Sequence, residues 1–422
     1  MMQGQLDEWI GDLPAEWDAV KTKQLFRILK RQVPHKGQTI LSITQQGIRP
    51  KNISENEGQM AGTYDGYQEV FVGDFAMNSM DLLTGWVDQS QYDGLTSPDY
   101  RVFAPIEPSC VHGPFYSYVF QSLYTRRVYY KYGQGVSNMG RWRLPAQTFL
   151  NFPLPHPAIE EQRIIAKFIE SKTSEIDELV EKLVRQVVLL ERYRRELIAR
   201  TVTRGLDPDV PMKDSGIEWI GEVPKHWTVE RLQWHMDQVD MNNSPIVSTQ
   251  ILSLVKDKGV VPFEERGTKG NKAKTDLESY KVAFPGTIVM NSMNVIIGSV
   301  GICRHFGLVS PVYYVFKNKA NSSLDFLNYV FLTRRFQQEL RKYANGILEI
   351  RLRVSANSVL KRVLAFPPIE EQRQITDYLD RKNAEIDSVI AGVNKQIELL
   401  KKYRKQVIND LVTGKVRVGD VA

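Results

Sequence analysis

The sequence predicts an α+β protein in which two globular domains alternate with two long helices. Three observations carry this. The chain repeats itself at a fixed offset, strict heptads of apolar residues occur in two places, and the remaining stretches alternate short apolar runs with turn residues. At 422 residues it exceeds one ordinary domain. Its 42% hydrophobic and 25% charged residues are those of a globular chain, neither disordered nor membrane-embedded.

The repeat comes first because it fixes the organisation. EWIGDLPAEW begins at Glu8 and EWIGEVPKHW at Glu218, 210 residues later. IEEQR starts at Ile159 and again at Ile369, EID at Glu175 and Glu385, and LLERYR at Leu189 against LLKKYR at Leu399. Of the 43 positions from Ala158 to Arg200, 16 are identical to their counterparts from Pro368 to Asp410. In the middle of each copy the offset drifts to 213. There FAMNSM from Phe75 faces IVMNSM from Ile288, and GLTSPDYRVF from Gly94 faces GLVSPVYYVF from Gly307. The rest of each middle is dissimilar. Shared ends that face the same thing twice, with middles that face different things, account for this pattern. So does an old duplication with drifting surface loops. The boundaries expected are a first globular domain at 1–150, a helical region at 151–210, a second globular domain at 211–362 and a second helical region at 363–422.

From Asp18 to Leu150 and from Asp237 to Lys361, apolar runs such as VFVGDFAM and YRVFAP are punctuated by Gly, Pro, Asn and Asp. They read as short strands and a few helices around turns. After NFPLPHP and AFPP the pattern changes. Pro157 and Pro367/Pro368 suit the first turn of a helix, and Glu160/Glu161 and Glu370/Glu371 complement its positive end. Heptads follow: Ile176, Leu183, Leu190 and Leu197 in the first copy, Ile386, Val393, Leu400 and Val407 in the second, with Leu179, Val180, Val187 and Tyr193 assigned to the same face. A spacing of seven predicts helix packed on helix, as a coiled coil or a long bundle helix, whereas a helix lying on its own domain needs a wider stripe of period 3.6. From Thr173 to Arg200 such a helix spans roughly 42 Å.

Cations concentrate where the copies correspond. Gln121 to Arg143 holds Arg126, Arg127, Lys131, Arg141 and Arg143 and no acid, a charge of +5. Leu332 to Val354 holds Arg334, Arg335, Arg341, Lys342, Arg351 and Arg353 against two glutamates, a charge of +4. Together they exceed the chain's net +6. Tyrosines and Trp142 interleave the first window, Phe336 and Tyr343 the second, and Gly133, Gly135, Gly140 and Gly346 allow close backbone approach. A solvated helix face is the bland account of one such window. Two at matching positions point to nucleic acid, through phosphate contacts and arginines on guanine edges.

Signs of catalysis are missing. The six histidines are scattered, with neither an HExxH motif nor paired cysteines, so no metal site is expected. Gly414-Lys415 is followed by Val416 and lacks the lead of a phosphate loop. Asn151-Phe152-Pro153-Leu154 has the wrong order for an adenine-methyltransferase motif. Asn78 and Asn291, after apolar runs, read as turn-closing residues. Cys110 and Cys303 stand far apart, the first residues form no secretory signal, and no stretch is long enough to cross a bilayer, so a reducing cytoplasm is expected.

At EWIGDLPAEW, the repeated IEEQR helix, the GL-x-SP-x-Y-x-VF core and the stretch from Met212 to Trp227, the chain resembles the specificity subunit of type I restriction-modification enzymes. The resemblance covers essentially the whole chain. It implies two target-recognition domains, each reading one half of a bipartite, asymmetric site in double-stranded DNA. It implies helices that pair as an antiparallel coiled coil, serve as a spacer and dock two copies of a modification subunit, and no cofactor in this chain. S-adenosylmethionine belongs to the adenine-methylating partners, and ATP and Mg to separate restriction (motor-nuclease) subunits. It assigns this chain no catalytic residue and transfers no base-contacting residue, so the cationic candidates rest on charge and position alone.

Overall fold

The computed structural model describes residues 9–52, 63–135, 142–255, 258–266, 276–345 and 352–421. It is a mixed α/β chain that divides into two compact units. Unit 1 takes residues 1–184 and 394–422, and unit 2 takes residues 185–393.

The largest sheet among the described residues of unit 1 has four antiparallel strands, β1 (Phe26–Leu29), β2 (Phe75–Met77), β3 (Val87–Gln89) and β4 (Arg101–Pro105), in the order β1-β4-β2-β3. Helix α1 (Gly113–Thr125) buries Phe115, Tyr116, Val119 and Phe120 against it. The core is aromatic: the Phe26 ring lies 5.2–5.5 Å from those of Phe75, Phe103, Tyr116 and Phe120, edge-on to each. Asp18–Lys21 pairs with Pro153–His156, so the start and end of the domain close on each other just before the long helix α2 (Ile159–Arg204).

In unit 2 the strands β5 (Met236–Val239), β6 (Leu252–Val255), β7 (Gly259–Pro262), β8 (Thr287–Asn291), β9 (Val300–Cys303) and β10 (Tyr313–Asn318) run in the order β5-β10-β8-β9-β7-β6. The first four places match those of unit 1, and β7 joins β9 in parallel. Helices α3 (Leu324–Leu332) and α4 (Arg334–Arg341) cover the sheet, and α5 (Ile369–Val412) is the second long helix. Thr228–Arg231 pairs with Val363–Phe366 ahead of α5, as the corresponding strands do ahead of α2.

The long helices exceed the heptad stretches: α2 has 46 residues, about 69 Å, and α5 has 44, about 66 Å. The added first turns follow the other spacing. Ile165, Ala166, Ile169 and Thr173 are buried on their own domain in unit 1, and Ile375, Thr376 and Leu379 in unit 2. Within the heptads Ile176, Ile386 and Val393 are buried, and Leu183, Leu190, Leu197, Leu400 and Val407 are half-buried. Leu179 and Tyr193 depart from the expected face, at 44% and 52% exposure. They lie three residues beyond Ile176 and Leu190, at the edge of the stripe.

The repeated motifs meet each other inside each unit. Trp17 Nε1 donates to Glu161 (3.0 Å) and Trp227 Nε1 to Glu371 (3.1 Å), which ties EWIG…W to IEEQR in both copies. The buried Gln162 amide accepts from His112 N–H and donates to the carbonyls of Cys110 and Pro157. Gln372 does the same with Ser323 N–H, Asn321 and Pro367. Each of these amides satisfies three backbone groups that loops would otherwise leave buried and unpaired. Past the helix ends, Gly205 and Gly414 take left-handed φ values of +75° and +70°. A Cβ on Gly205 would meet Glu371 and Trp227, and one on Gly414 would meet Pro14 at 2.5 Å, so both positions also require the absent side chain.

Candidate nucleic-acid interface

Both basic windows fold into the same three-part arrangement. Each opens with Thr-Arg-Arg, at 125–127 and 333–335. Each then reaches a two-residue bridge, Gln134 with Arg143 in unit 1 (2.8 and 3.0 Å) and Asn345 with Arg353 in unit 2 (2.8 and 2.9 Å). The bridge rests on the turn that follows the Met-Asn-Ser-Met sequence: Leu144 N–H donates to Ser79 O, and Val354 N–H to Ser292 O. The turn is closed by its asparagine. Asn78 Oδ1 accepts from the amides of Met80 and Asp81, and Asn291 Oδ1 from that of Met293. The two asparagines therefore have the turn-closing role expected from their place after an apolar strand.

The cations divide by what they touch. Arg127, Arg143, Arg334 and Arg335 are exposed, and no hydrogen bond or ion pair among the described residues engages their guanidinium groups. Arg127 also has φ of +58°, the one positive value on a described non-glycine residue. That conformation costs of order 1 kcal/mol. Arg353 is exposed, with Nη2 4.0 Å from Met293 Sδ. Arg126 is employed inside unit 1, donating to Trp9 O and Asn409 Oδ1. Lys342 pairs with Glu339 at 2.8 Å, and this hydrogen bond holds its pKa above the ordinary lysine value. Lys131 and Arg341 are exposed and partnered. Arg141 and Arg351 lie outside the described residues.

Behind the unit 1 bridge sits a cation that sequence reading did not single out. Arg101 is buried, donates to Leu144 O at 2.8 Å and lies over the Phe149 ring. Burial pushes its pKa down to about 10, which still leaves it charged at neutral pH, and its hydrogen bond fixes the Leu144 carbonyl next to the bridge. Its sequence signal is its place in YRVF, where the second copy has YYVF. Among the described residues no group of three or more His, Cys, Asp or Glu is gathered as a metal ion requires. No described helix is long and apolar enough to cross a membrane. The two cysteines are free, Cys110 exposed and Cys303 buried.

A second feature is carried by the long helices. In unit 1 Leu179, Leu399 and Tyr403 are exposed, at 44%, 54% and 55%. Unit 2 exposes their counterparts at the 210-residue offset, Val389, Leu189 and Tyr193, at 47%, 56% and 52%. Each unit thus shows the same small apolar group on its helices.

No family model matches the chain. It is 25% identical over 323 residues to the type I restriction enzyme MjaVIII specificity subunit of Methanocaldococcus jannaschii, covering 71% of this chain and 70% of that one. It is 21% identical over 432 residues to the putative MjaX specificity subunit of the same organism, covering 97% and 96%. Its curated relatives are type I restriction enzyme specificity subunits. Among solved structures, a chain from work on complex assembly and conformational transition of the type I R-M system superposes with a TM-score of 0.69 at 15% identity, covering 96% of this chain and all of that one. The HsdS subunit from Thermoanaerobacter tengcongensis gives 0.56 at 16% identity, covering 96% and 98%. At these identities the structures establish a shared fold.

Proposed function

We propose that this chain is the DNA-reading specificity subunit of a type I restriction-modification complex. The observation that carries the proposal is the exposed arginine arrangement of turn, bridge and Thr-Arg-Arg, built once in each unit. Each recognition domain reads one half of a bipartite site, and the site is asymmetric because the two surfaces differ. The long helices pair antiparallel and set the spacing between the halves. Contacts inside each unit support that pairing. In unit 1 Asp177 of α2 bonds Arg404 of α5, and Glu161, earlier in α2, bonds Arg417 just past the end of α5, so one number falls as the other rises. In unit 2 Arg194 bonds Asp387 and Gly205 lies against Glu371. The equivalent apolar groups, Leu179/Leu399/Tyr403 and Val389/Leu189/Tyr193, dock two copies of one modification subunit.

On this reading the chain supplies no catalytic group and acts in the cytoplasm. S-adenosylmethionine serves the partners that methylate adenine, and ATP and Mg serve restriction subunits. The test replaces Arg127 and Arg143 with alanine in one variant and Arg334 and Arg335 in another. Each should weaken binding and lower the salt slope by about 0.9 per lost phosphate contact. Each should also relax the sequence requirement of one half-site and leave the other intact. Unchanged slopes with unchanged sequence requirement would refute the assignment.

A further inference from the structure

The turns after the two Met-Asn-Ser-Met sequences each hold an aliphatic side chain out to solvent. In unit 1 Leu82 is buried as the anchor of the turn while its neighbour Leu83 is 45% exposed. In unit 2 Val295 is buried and Ile297 is 66% exposed, the highest value among the described large apolar residues that face solvent. Both turns are locked. The Asp81 carboxylate accepts from the amides of Leu83 and Thr84. Gly298 takes φ of +81°, and a Cβ there would stand 2.8 Å from Gln337 Nε2 on α4, the helix that begins with Arg334 and Arg335. Arg353 reaches Met293 in the same turn, and the Arg143 bridge adjoins the turn of unit 1 through Ser79.

An apolar knob on a rigid turn, with exposed arginines on the segments that adjoin the turn, is poorly suited to a protein surface, which would have to desolvate the guanidinium groups. It suits duplex DNA. Cations there meet phosphates, and the apolar surface open to an aliphatic side chain is that of sugars and bases, the latter taken by the Leu and Ile wedges of DNA-bending proteins. We infer that Leu83 and Ile297 are apolar base contacts, each set against the base pairs of one half-site. The inference rests on the proposed DNA-reading function and adds residues that charge alone does not reveal.

The experiment selects sites from a randomised duplex library with the full-length wild-type chain, then measures affinity and salt slope on the selected duplex. If the wild-type chain selects no sequence, the DNA-reading function itself fails, and this is known before any variant is made. Otherwise Ile297→Ala should lose about tenfold in affinity with an unaltered salt slope, and relax preference at one or two base pairs of a single half-site. Leu83→Ala should do the same in the other half, and Ile297→Met should retain binding. Affinity and preference unchanged within about twofold would overturn the inference, as would a slope reduced by about 0.9, the mark of a phosphate contact. Loss of preference in both halves at once would also overturn it, since that reports damage to the fold.

Discussion

Residues 212–422, expressed alone, are expected to dimerise. The fragment keeps a leading motif, the second globular domain and α5, but loses the stretch of α2 that completes the core of unit 2. There Val202 is buried, and Leu197 and Ile198 pack beside it. Their counterparts at the 210-residue offset are Val412, Val407 and Ile408, which take part in the core of unit 1 together with the buried Leu411. A second copy of the fragment offers those four side chains to the open core of the first, and twofold symmetry repeats the exchange. At roughly 1.5–3 kcal/mol for each buried aliphatic side chain, eight of them contribute about 12–24 kcal/mol before costs. Association removes about 4–15 kcal/mol, which leaves room for a dimer stable at micromolar concentration. Charge fits as well. Asp387 pairs with Arg194, and Asp177 pairs with Arg404. In the fragment Asp387 of each copy would meet Arg404 of the other, so Asp387→Arg should weaken the dimer and adding Arg404→Asp should restore it. Light scattering reads the mass, and methylation sequencing with the modification subunit should show a palindrome of one half-site. A monomer at tens of micromolar, or a dimer directing the parent's asymmetric site, would refute the reasoning.

Two further outcomes follow from single contacts. Gln372→Leu removes one buried amide that satisfies Ser323 N–H and the carbonyls of Asn321 and Pro367. It should cost about 2–4 kcal/mol in denaturant unfolding, and a loss under about 0.5 would contradict the role assigned to it. His235 is stacked on Phe366 and bonded to Ser322 and Glu230; burial lowers its pKa against the opposing pull of Glu230. The unfolded histidine binds its proton near pH 6.5 and the folded one only lower, so stability should fall as pH drops below about 6.5. His235→Gln should flatten that limb of a melting-temperature profile measured between pH 7.5 and 5.

The elements that sequence made legible are those whose cause is local or periodic. Proline and paired glutamates mark where α2 and α5 begin. The heptads are visible because apolar residues from Ile176 to Leu197 and from Ile386 to Val407 recur every seven residues, and Ile176, Ile386 and Val393 among them are buried. The first turns of both helices are less legible. Ile165, Ile169, Ile375 and Leu379 follow a different spacing, set by a domain surface that assembles from distant strands. The strands of the sheets are three to six residues long, too short for alternation to define them. Their order became visible only in the fold.

The interface divides along the same physical line. Charge is a property of composition, so both basic windows stand out in the sequence itself. Which cation faces outward depends on groups far along the chain. Arg126 is held by Asn409, 283 residues away, while its neighbour Arg127 is turned outward by a positive φ that no local pattern announces. The aliphatic knobs were hidden for the opposite reason. Asp-Leu-Leu-Thr and Asn-Val-Ile-Ile read as ordinary core, and in each turn one apolar residue, Leu82 or Val295, is indeed core. The exposed residue, Leu83 one place beyond Leu82 and Ile297 two beyond Val295, is visible only once the turn is locked by Asp81 or Gly298. The bridge and its bond to the Met-Asn-Ser-Met serine recur beneath both surfaces, yet the surfaces themselves differ. Trp142 lies against Tyr130 in unit 1, and Arg362 lies 3.3 Å over the ring of Tyr343 in unit 2. On the proposed function, recurring support beneath two different faces would let the reading of one half-site change while that of the other is kept.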